Sequence, residues 1–192
     1  MQALPAAPAP APRNQLTVGA SLAAAATVML FGGMLSVWAV QRSRAMDLDG
    51  HWLPDGVTVP EVPSNVMLIA FAPVCIFAYW AQWSAKRNDN PHTALALSAT
   101  AFMGLLILNA QFFVYHDMGL GIADGAYESM FYAITGAFVA LLILGMLVSV
   151  VAAFRFLGGR TGDHELLIAH SIVWYAITAV YCGIWFLVYV TK

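Results

Sequence analysis

The stretch MFYAITGAFVALLILGMLVSVVAAF, residues 130–154, contains no Asp, Glu, Lys or Arg. A bilayer core of roughly 30 Å needs about 20 consecutive apolar residues in a helix, so this stretch is long enough to cross it. Lipid offers no hydrogen-bonding partner to an exposed backbone, and the apolar residues do not alternate as those of a barrel strand do. The stretch therefore predicts a transmembrane helix.

The composition of the whole chain points the same way. Of its 192 residues, 61% are hydrophobic and 9% are charged. A soluble domain of this size usually carries about 25% charged residues, so this inventory indicates an integral membrane protein. The net charge of −2 gives no electrostatic support to a nucleic-acid partner.

Five segments have the length and hydropathy of a membrane span. They are Leu16–Val40, Val66–Trp83, Thr93–Tyr115, Met130–Phe156 and Leu166–Val190. The predicted fold is an all-α membrane bundle of five transmembrane helices over residues 15–192. The Ala/Pro-rich residues 1–14 are predicted to be a disordered tail, and the connection at 41–65, with its three prolines, an irregular ordered cap.

The charges in the connections predict the orientation. With the N-terminus inside, the inner side holds Arg13, Lys86, Arg87, Arg155 and Arg160, whereas the outer side holds Arg42, Arg44 and Lys192. An inner excess of Lys and Arg is typical of membrane proteins, so the N-terminus is predicted inside and the C-terminus outside. Arg87 and Arg155 are then either ligands of lipid phosphates or simple determinants of topology.

Acidic residues concentrate on the predicted outer side, at Asp47, Asp49, Asp55, Glu61, Asp117, Asp124 and Glu128. Two interpretations stay open. Connections are where charges are tolerated in a membrane protein, or the acidic side attracts a basic partner such as a cytochrome c.

The spans themselves lack the groups that ion transport and metal catalysis use. No Asp, Glu, Lys or Arg lies well within any of them, although pumps and transporters normally need such residues. Cys75 and Cys182 have no second ligand at metal-binding spacing. His170, about one turn inside the fifth span, is expected to be a capping or interfacial residue. No catalytic, cofactor-binding or metal-binding residue is predicted.

A set of motifs lies around the connection between the third and fourth spans. It comprises Gln111 and Tyr115, then Asp124, Gly125, Tyr127, Ser129 and Phe131, then Thr135, Gly136 and Gly145. These positions resemble subunit III of haem–copper respiratory oxidases in its five-helix bacterial form. That family has Gln-x-x-Glu-Tyr at a helix end, a connection ending Asp-Gly-x-Tyr-x-Ser-x-Phe, and a Thr-Gly pair in the next helix.

The chain departs from the family pattern at its ionisable positions. The glutamate of Gln-x-x-Glu-Tyr falls on Val114, and a glutamate of the first helix falls near Thr27. Two histidines that usually follow Thr-Gly are Phe138 and Leu141, and the His and Asp of the last helix fall around Ile177 and Val180. This pattern indicates a divergent member whose connections have kept the family sequence.

The resemblance implies a non-catalytic accessory subunit of a terminal oxidase in the bacterial inner membrane. It would pack on catalytic subunit I, bind phospholipid and support aerobic electron transport from a cytochrome c-type donor, with haem and copper in the partner subunits. Alternatives are a subunit III-like component of a nitric oxide reductase, a small membrane transporter, or a membrane metalloenzyme.

The motif residues are expected to have contact roles in this interpretation. The Asp124–Tyr127–Ser129 segment is predicted to fold back over the junction of the third and fourth helices. Asp124 would accept backbone hydrogen bonds across the turn at Gly125, and Tyr127 would anchor at the membrane interface. The first and second helices are predicted to face subunit I.

Overall fold

The computed structural model describes residues 14–48, 50–122, 124–162 and 164–191. All regular secondary structure among these residues is helical. The elements are α1 (Gln15–Leu48), α2 (Glu61–Lys86), α3 (Asn90–Met118), α4 (Ala126–Leu157) and α5 (His164–Ile184), which continues as a π-helical segment (Trp185–Val190). The predicted disordered tail lies outside the described residues except for Asn14.

Each predicted span coincides with one helix. Five helices among the described residues are long and apolar enough to cross a membrane, α5 being counted together with its π-helical segment. The predicted all-α bundle with five transmembrane helices is therefore confirmed. The orientation of the termini remains a prediction.

The connection predicted at 41–65 is shorter than expected. The first helix continues eight residues beyond Val40 to Leu48, and α2 already begins at Glu61. Pro63 lies in the first turn of α2, where a missing N–H costs nothing because those groups have no partner within the helix. Among the described residues of this connection, the irregular part is therefore confined to 50–60.

Consecutive spans alternate in direction, so the connections gather at two ends of the bundle. We call the end that carries Lys86, Arg87, Arg155 and Arg160 the basic end. We call the end that carries Asp55, Asp117 and Asp124 the acidic end. The helices α1, α3 and α5 begin at the basic end, whereas α2 and α4 begin at the acidic end.

The central helix of the bundle is α5, which contacts α1, α2 and α4. The α2–α3 and α3–α4 pairs form two further extensive contacts, whereas α1 packs mainly against α5. The buried face of α1 consists of Phe31, Leu35 and Trp38. Since α1 stands at the edge of the bundle, most of its remaining surface is open.

The last turns of α5 widen into the π-helical segment Trp185–Val190. Such segments are rare and occur frequently at functional sites. Here the segment turns Val188 and Tyr189 into the core, with 0% and 2% of their surfaces exposed. The wider helix therefore places a tyrosine hydroxyl among the helices of the acidic end.

Candidate functional site

The described part of the α3–α4 connection, residues 119–122 and 124–125, folds back over the first turns of α4. Gly119 ends α3 in the left-handed conformation, with φ 58°, which glycine adopts at little cost. The Tyr132 hydroxyl then donates to the Leu120 carbonyl at 2.8 Å, and the Ser129 hydroxyl donates to the Ile122 carbonyl at 3.4 Å. Side chains of α4 thus hold the backbone of the connection.

The acidic residues of this connection differ in their exposure. The Asp124 side chain is exposed and packs against Gly121. Glu128, in the first turn of α4, is 7% exposed and lies over Gly125, where a Cβ would meet its Oε2 atom at 2.7 Å. Gly125 therefore leaves room for a carboxylate at the N-terminus of α4, where the helix dipole favours negative charge.

Tyr127 is buried in an aromatic cluster that joins three parts of the chain. Its ring centroid lies 5.2 Å from that of Trp38 in α1 and 5.5 Å from that of Trp52, and it stacks on Phe131. The Trp38 indole N–H donates to the Leu187 carbonyl at 3.1 Å. The cluster therefore holds the α1–α2 connection against the start of α4 and the end of α5. Tyr127 packs inside this aromatic core.

Gln111, Tyr115 and Thr135 meet Tyr189 inside the acidic end. The Tyr189 hydroxyl donates to Gln111 Oε1 at 3.2 Å, and the Thr135 hydroxyl donates to the Phe131 carbonyl at 2.6 Å. The Tyr115 hydroxyl lies beside Gln111 and Thr135. We call these four residues the Gln111 cluster. The sequence pointed to three of them but not to Tyr189, which lies in the π-helical segment.

The other predicted site residues lie elsewhere. Gly136 follows Thr135 but faces outward, and no atom lies within 4 Å of where its Cβ would be. Arg87 and Arg155 are both at the basic end. The Arg87 guanidinium stacks on Trp83, with its Cζ atom 3.8 Å from the ring centroid, and Arg155 lies in the last turn of α4.

His170 has a role that the sequence did not indicate. It is 0% exposed, and its Nε2 atom lies 2.8 Å from the Ser149 hydroxyl oxygen. The same oxygen accepts a hydrogen bond from the Trp174 indole N–H at 2.9 Å. The expectation of a capping or interfacial histidine is therefore wrong. A serine inside an apolar run and the i, i+4 spacing of His170 and Trp174 were the available signals.

Val114 lies where the family motif has a glutamate. Its side chain is fully buried in the main core, one residue before Tyr115. A carboxylate at this depth would need a buried partner, whereas valine needs none. Among residues 14–48, 50–122, 124–162 and 164–191, no three His, Cys, Asp or Glu side chains lie close enough to hold a metal ion.

The sequence matches the cytochrome c oxidase subunit III family over residues 7–192, which is nearly the whole chain. The chain belongs to this family. The family resemblance inferred from the connection at Asp124–Ser129 is thereby confirmed, and the match extends beyond the motif region into α1 and α5.

Individual subunit III proteins are similar at low identity. Cytochrome c oxidase subunit 3 of Pelomedusa subrufa is 27% identical over 172 residues, which cover 86% of this chain and 65% of that protein. A probable cytochrome c oxidase subunit 3 of Nocardia farcinica is 26% identical over 192 residues, covering 93% and 89% respectively. The chain thus spans about two thirds of the Pelomedusa protein and most of the Nocardia one.

A fused relative is also similar. Heme-copper oxidase subunit I+III of Aeropyrum pernix is 26% identical over 175 residues, covering 86% of this chain and 21% of that protein. The name of this relative thus joins a subunit I and a subunit III in one protein. This subunit III family member is a divergent one, with identities of 24–27% to such proteins.

Proposed function

We propose that this chain is a non-catalytic accessory subunit of a haem–copper oxidase in the bacterial inner membrane. The match to the subunit III family over residues 7–192 carries the proposal. The fused subunit I+III relative supports catalytic subunit I as the direct partner. Haem and copper would be held by partner subunits; the buried His170 of this chain already has its Nε2 atom at Ser149.

The open surface of α1 is the face we assign to subunit I. Gly19, Gly32 and Gly33 have no atom within 4 Å of where a Cβ would be. Helices in membranes approach one another closely where small residues line the contact, because lipid supplies no hydrophobic drive for association. The small side chains of α1 therefore suit a packed helix of another subunit.

The open surface of α3 carries no glycine, because Gly104, the one glycine within α3, is buried. The first helix also exposes bulky side chains, such as Leu22 and Met29, but α3 does not combine them with exposed glycines. The exposed residues of α3 are bulky, comprising Leu95, Phe102, Leu105, Leu106, Phe112 and Phe113. Such side chains suit contact with acyl chains. The exposed glycines therefore favour α1 over α3 as the subunit contact. They also narrow the predicted contact on the first two helices to α1, because α2 contains no glycine and exposes bulky residues such as Ile69 and Tyr79.

A groove between α1 and α4 continues this face. It encloses about 210 Å³ and is lined by Met34, Val37, Met130, Ala133 and Ile134. Gly136, one turn farther along α4 from Ala133, leaves the surface beside the groove open. A protruding side chain of a partner helix would fit between α1 and α4 at this point.

Co-purification from membranes tests the proposal. The tagged full-length chain is expected to carry a haem-bearing subunit I with it. Gly33→Leu and Gly136→Leu should each reduce the recovered haem per chain at least fivefold. Leu105→Phe, which enlarges an exposed side chain on α3, should leave it unchanged.

Three outcomes would contradict the proposed function or the proposed contact. Isolation of the chain as a haem-free homo-oligomer under all conditions would remove the proposed function. Loss of the partner in Leu105→Phe but not in Gly33→Leu would retain the function and move the contact to α3. Recovery with a nitric oxide reductase core would identify the alternative enzyme class.

Lipid binding and the electron donor belong to the same proposal. Arg87, stacked on Trp83, keeps the edge of its guanidinium available to a lipid phosphate at the basic end. The carboxylates of the acidic end would attract a basic cytochrome c-type donor. Arg87→Gln should reduce the amount of phospholipid that co-purifies, as measured by mass spectrometry. Reporter fusions to the connections test the orientation and should place the basic end in the cytoplasm.

A further inference from the structure

Two tyrosine side chains face outward from the bundle within membrane spans. Tyr79 of α2 is 61% exposed, and Tyr175 of α5 is 41% exposed. Within the described part of the chain, neither hydroxyl group has a hydrogen-bonding partner. Tyrosine is enriched at the membrane–water interface, where its hydroxyl group reaches water. The depth of these two residues therefore decides whether water or another molecule serves them.

Both tyrosines lie inside the hydrocarbon core. Lys86 and His164 line one narrow cleft, so they mark a common level at the basic end. Tyr79 precedes Lys86 by seven residues, which is about 10 Å along α2. Tyr175 follows His164 by eleven residues, which is about 16 Å along α5. With 26 residues, α2 is about 39 Å long, so about 5 Å of it extends at each end beyond a core of roughly 30 Å.

The directions of the two helices turn these side chains toward a common level. Long side chains of a helix point toward its N-terminus. Because α2 and α5 are antiparallel, this rule directs Tyr79 away from the nearer headgroups and Tyr175 toward the level of Tyr79. Tyr175 interacts electrostatically with both Tyr79 and Cys75, which agrees with this arrangement. The two hydroxyl groups thus face the hydrocarbon core, where lipid offers no hydrogen bond.

The polar residues between the two tyrosines are bonded to each other. The Thr178 hydroxyl donates to the Trp174 carbonyl at 2.8 Å. Its oxygen lies 3.3 Å from Cys75 Sγ, and the thiol is then the donor because the single hydroxyl proton is already used. This contact joins α2 to α5. The tyrosine hydroxyl groups remain as the outward-facing polar groups at this level.

Small side chains continue the same surface toward the acidic end. Ala72 and Ala179 are exposed, seven residues from Tyr79 and four residues from Tyr175 respectively. Residues at these spacings share one face of a helix. Both alanines lie about 22 Å from the basic end, so they stand side by side. We call the two tyrosines and the two alanines the tyrosine face. Small residues let a second helix approach closely.

We propose that the tyrosine face binds a transmembrane helix of another chain, and that this helix carries a Ser, Thr, Asn or Gln side chain at the level of the two tyrosines. Such a side chain supplies the hydrogen bonds that acyl chains lack. The alanines leave room for the backbone of the partner helix. This contact is separate from the glycine surface of α1, and it does not depend on which enzyme the chain serves.

Photocrosslinking of the full-length chain in its native membrane identifies the occupant. The photoreactive residue p-benzoylphenylalanine replaces Ile76, which is 64% exposed and lies one turn from Tyr79. The crosslinked peptide is expected to come from an apolar transmembrane segment of another chain. A Ser, Thr, Asn or Gln should lie within one turn of the crosslinked position. The same photoreactive residue at Leu105, on the bulky surface of α3, is the control and should react with lipid.

The double variant Tyr79→Phe/Tyr175→Phe tests the hydroxyl groups. It keeps both rings, and it should lower the crosslinking yield at position 76 by about threefold or more. Tyr132→Phe is the matched control and should leave the yield unchanged, because the Tyr132 hydroxyl donates to the Leu120 carbonyl within the chain. In the isolated chain in lipid nanodiscs, the double variant should unfold at the same or a higher temperature, since hydroxyl groups that face lipid stabilise nothing.

Several results would overturn the proposal. Lipid adducts alone at position 76, or a crosslink to a second copy of this chain, would show a different occupant. A yield that the double variant leaves unchanged would remove the role of the hydroxyl groups, as would a crosslinked segment without a polar residue. A lower unfolding temperature of the isolated double variant would show that the hydroxyl groups are bonded inside the chain, which also contradicts the proposal.

Discussion

The Glu165 carboxylate, in the first turn of α5, accepts a hydrogen bond from the backbone N–H of Thr17 in the first turn of α1, at 3.0 Å. The two residues are 148 positions apart in the sequence. The first backbone N–H groups of a helix have no partner within it, so a carboxylate from α5 acts here as the cap of α1. The Glu165 carboxylate thus lies at the N-termini of both α1 and α5, where the helix dipoles favour negative charge.

Glu165→Ala should release the start of α1. Loss of a helix cap typically costs about 1 kcal/mol, so we expect a decrease of that size in the free energy of unfolding. Glu165→Gln should lose about half as much, since it retains an acceptor but no charge. Unfolding by denaturing detergent in lipid micelles measures both. Asp117→Ala, at the other end of the bundle, serves as the control, and an equal loss there would refute the specific role of Glu165.

Ser149→Ala should destabilise the core of the bundle. It leaves both the Trp174 indole N–H and His170 Nε2 without their partner, so we expect a loss of about 2 kcal/mol. Ser36→Ala is the matched control, because its hydroxyl donates only to the Gly32 carbonyl on the exposed face of α1. The change there should be within about 0.5 kcal/mol. Equal effects in the same unfolding assay would argue against the buried network.

Gly104→Ala should also be destabilising. A Cβ at this position would lie 2.7 Å from Met146 Cγ and 2.8 Å from the Trp174 ring, which is fully buried and tied to Ser149. Overpacking of this kind costs about 1–3 kcal/mol. Gly33→Ala in the isolated chain should be neutral or slightly stabilising, because a Cβ there meets nothing. Thermal unfolding of the two variants measures the difference. Equal midpoints for Gly104→Ala and Gly33→Ala would contradict the predicted overpacking at Gly104.

Tyr132→Phe should loosen the α3–α4 connection without unfolding the bundle. It removes the donor to the Leu120 carbonyl, so residues 119–122 are expected to exchange their amide hydrogens faster. Asp124→Ala should act on the same residues, because the carboxylate packs against Gly121. Hydrogen–deuterium exchange followed by mass spectrometry measures this. Unchanged exchange in both variants would show that the connection does not depend on these side chains.

The start of α3 should respond to acid. The hydrogen bond from the His92 side chain lowers the pKa of the Asp89 carboxyl below its usual value of 3.8, and Asp89 also accepts from the His92 backbone N–H. Because the folded pKa lies below the unfolded one, this contribution is present above about pH 3.8 and is lost as pH falls through the lowered pKa. The carboxyl ¹³C signal of Asp89 should titrate accordingly.

His92→Ala is the control for this titration. Without the imidazole, the midpoint of the Asp89 signal should rise toward the usual value. A midpoint that stays unchanged would show that the ion pair, in which His92 Nδ1 lies 2.7 Å from Asp89 Oδ2, does not form in the membrane-embedded protein.

The motif residues were predictable only in part. The Asp-Gly-x-Tyr pattern identified the α3–α4 connection and drew attention to Gln111, Tyr115 and Thr135, which do lie together. It placed Thr135 and Gly136 in one motif, although the 100° step of a helix turns the first inward and the second outward. Adjacency in the sequence does not imply a common face.

By itself, the sequence determined that this chain is a bundle of five membrane helices and a subunit III family member. Both follow from local properties, namely the length of apolar runs and the order of residues in a motif. Only the tertiary structure decided which polar side chains meet. Tyr189 reaches Gln111 from the π-helical segment that follows α5, and Glu165 reaches Thr17 because α1 packs beside α5. Contacts across 78 and 148 positions depend on helix packing, which hydropathy does not encode.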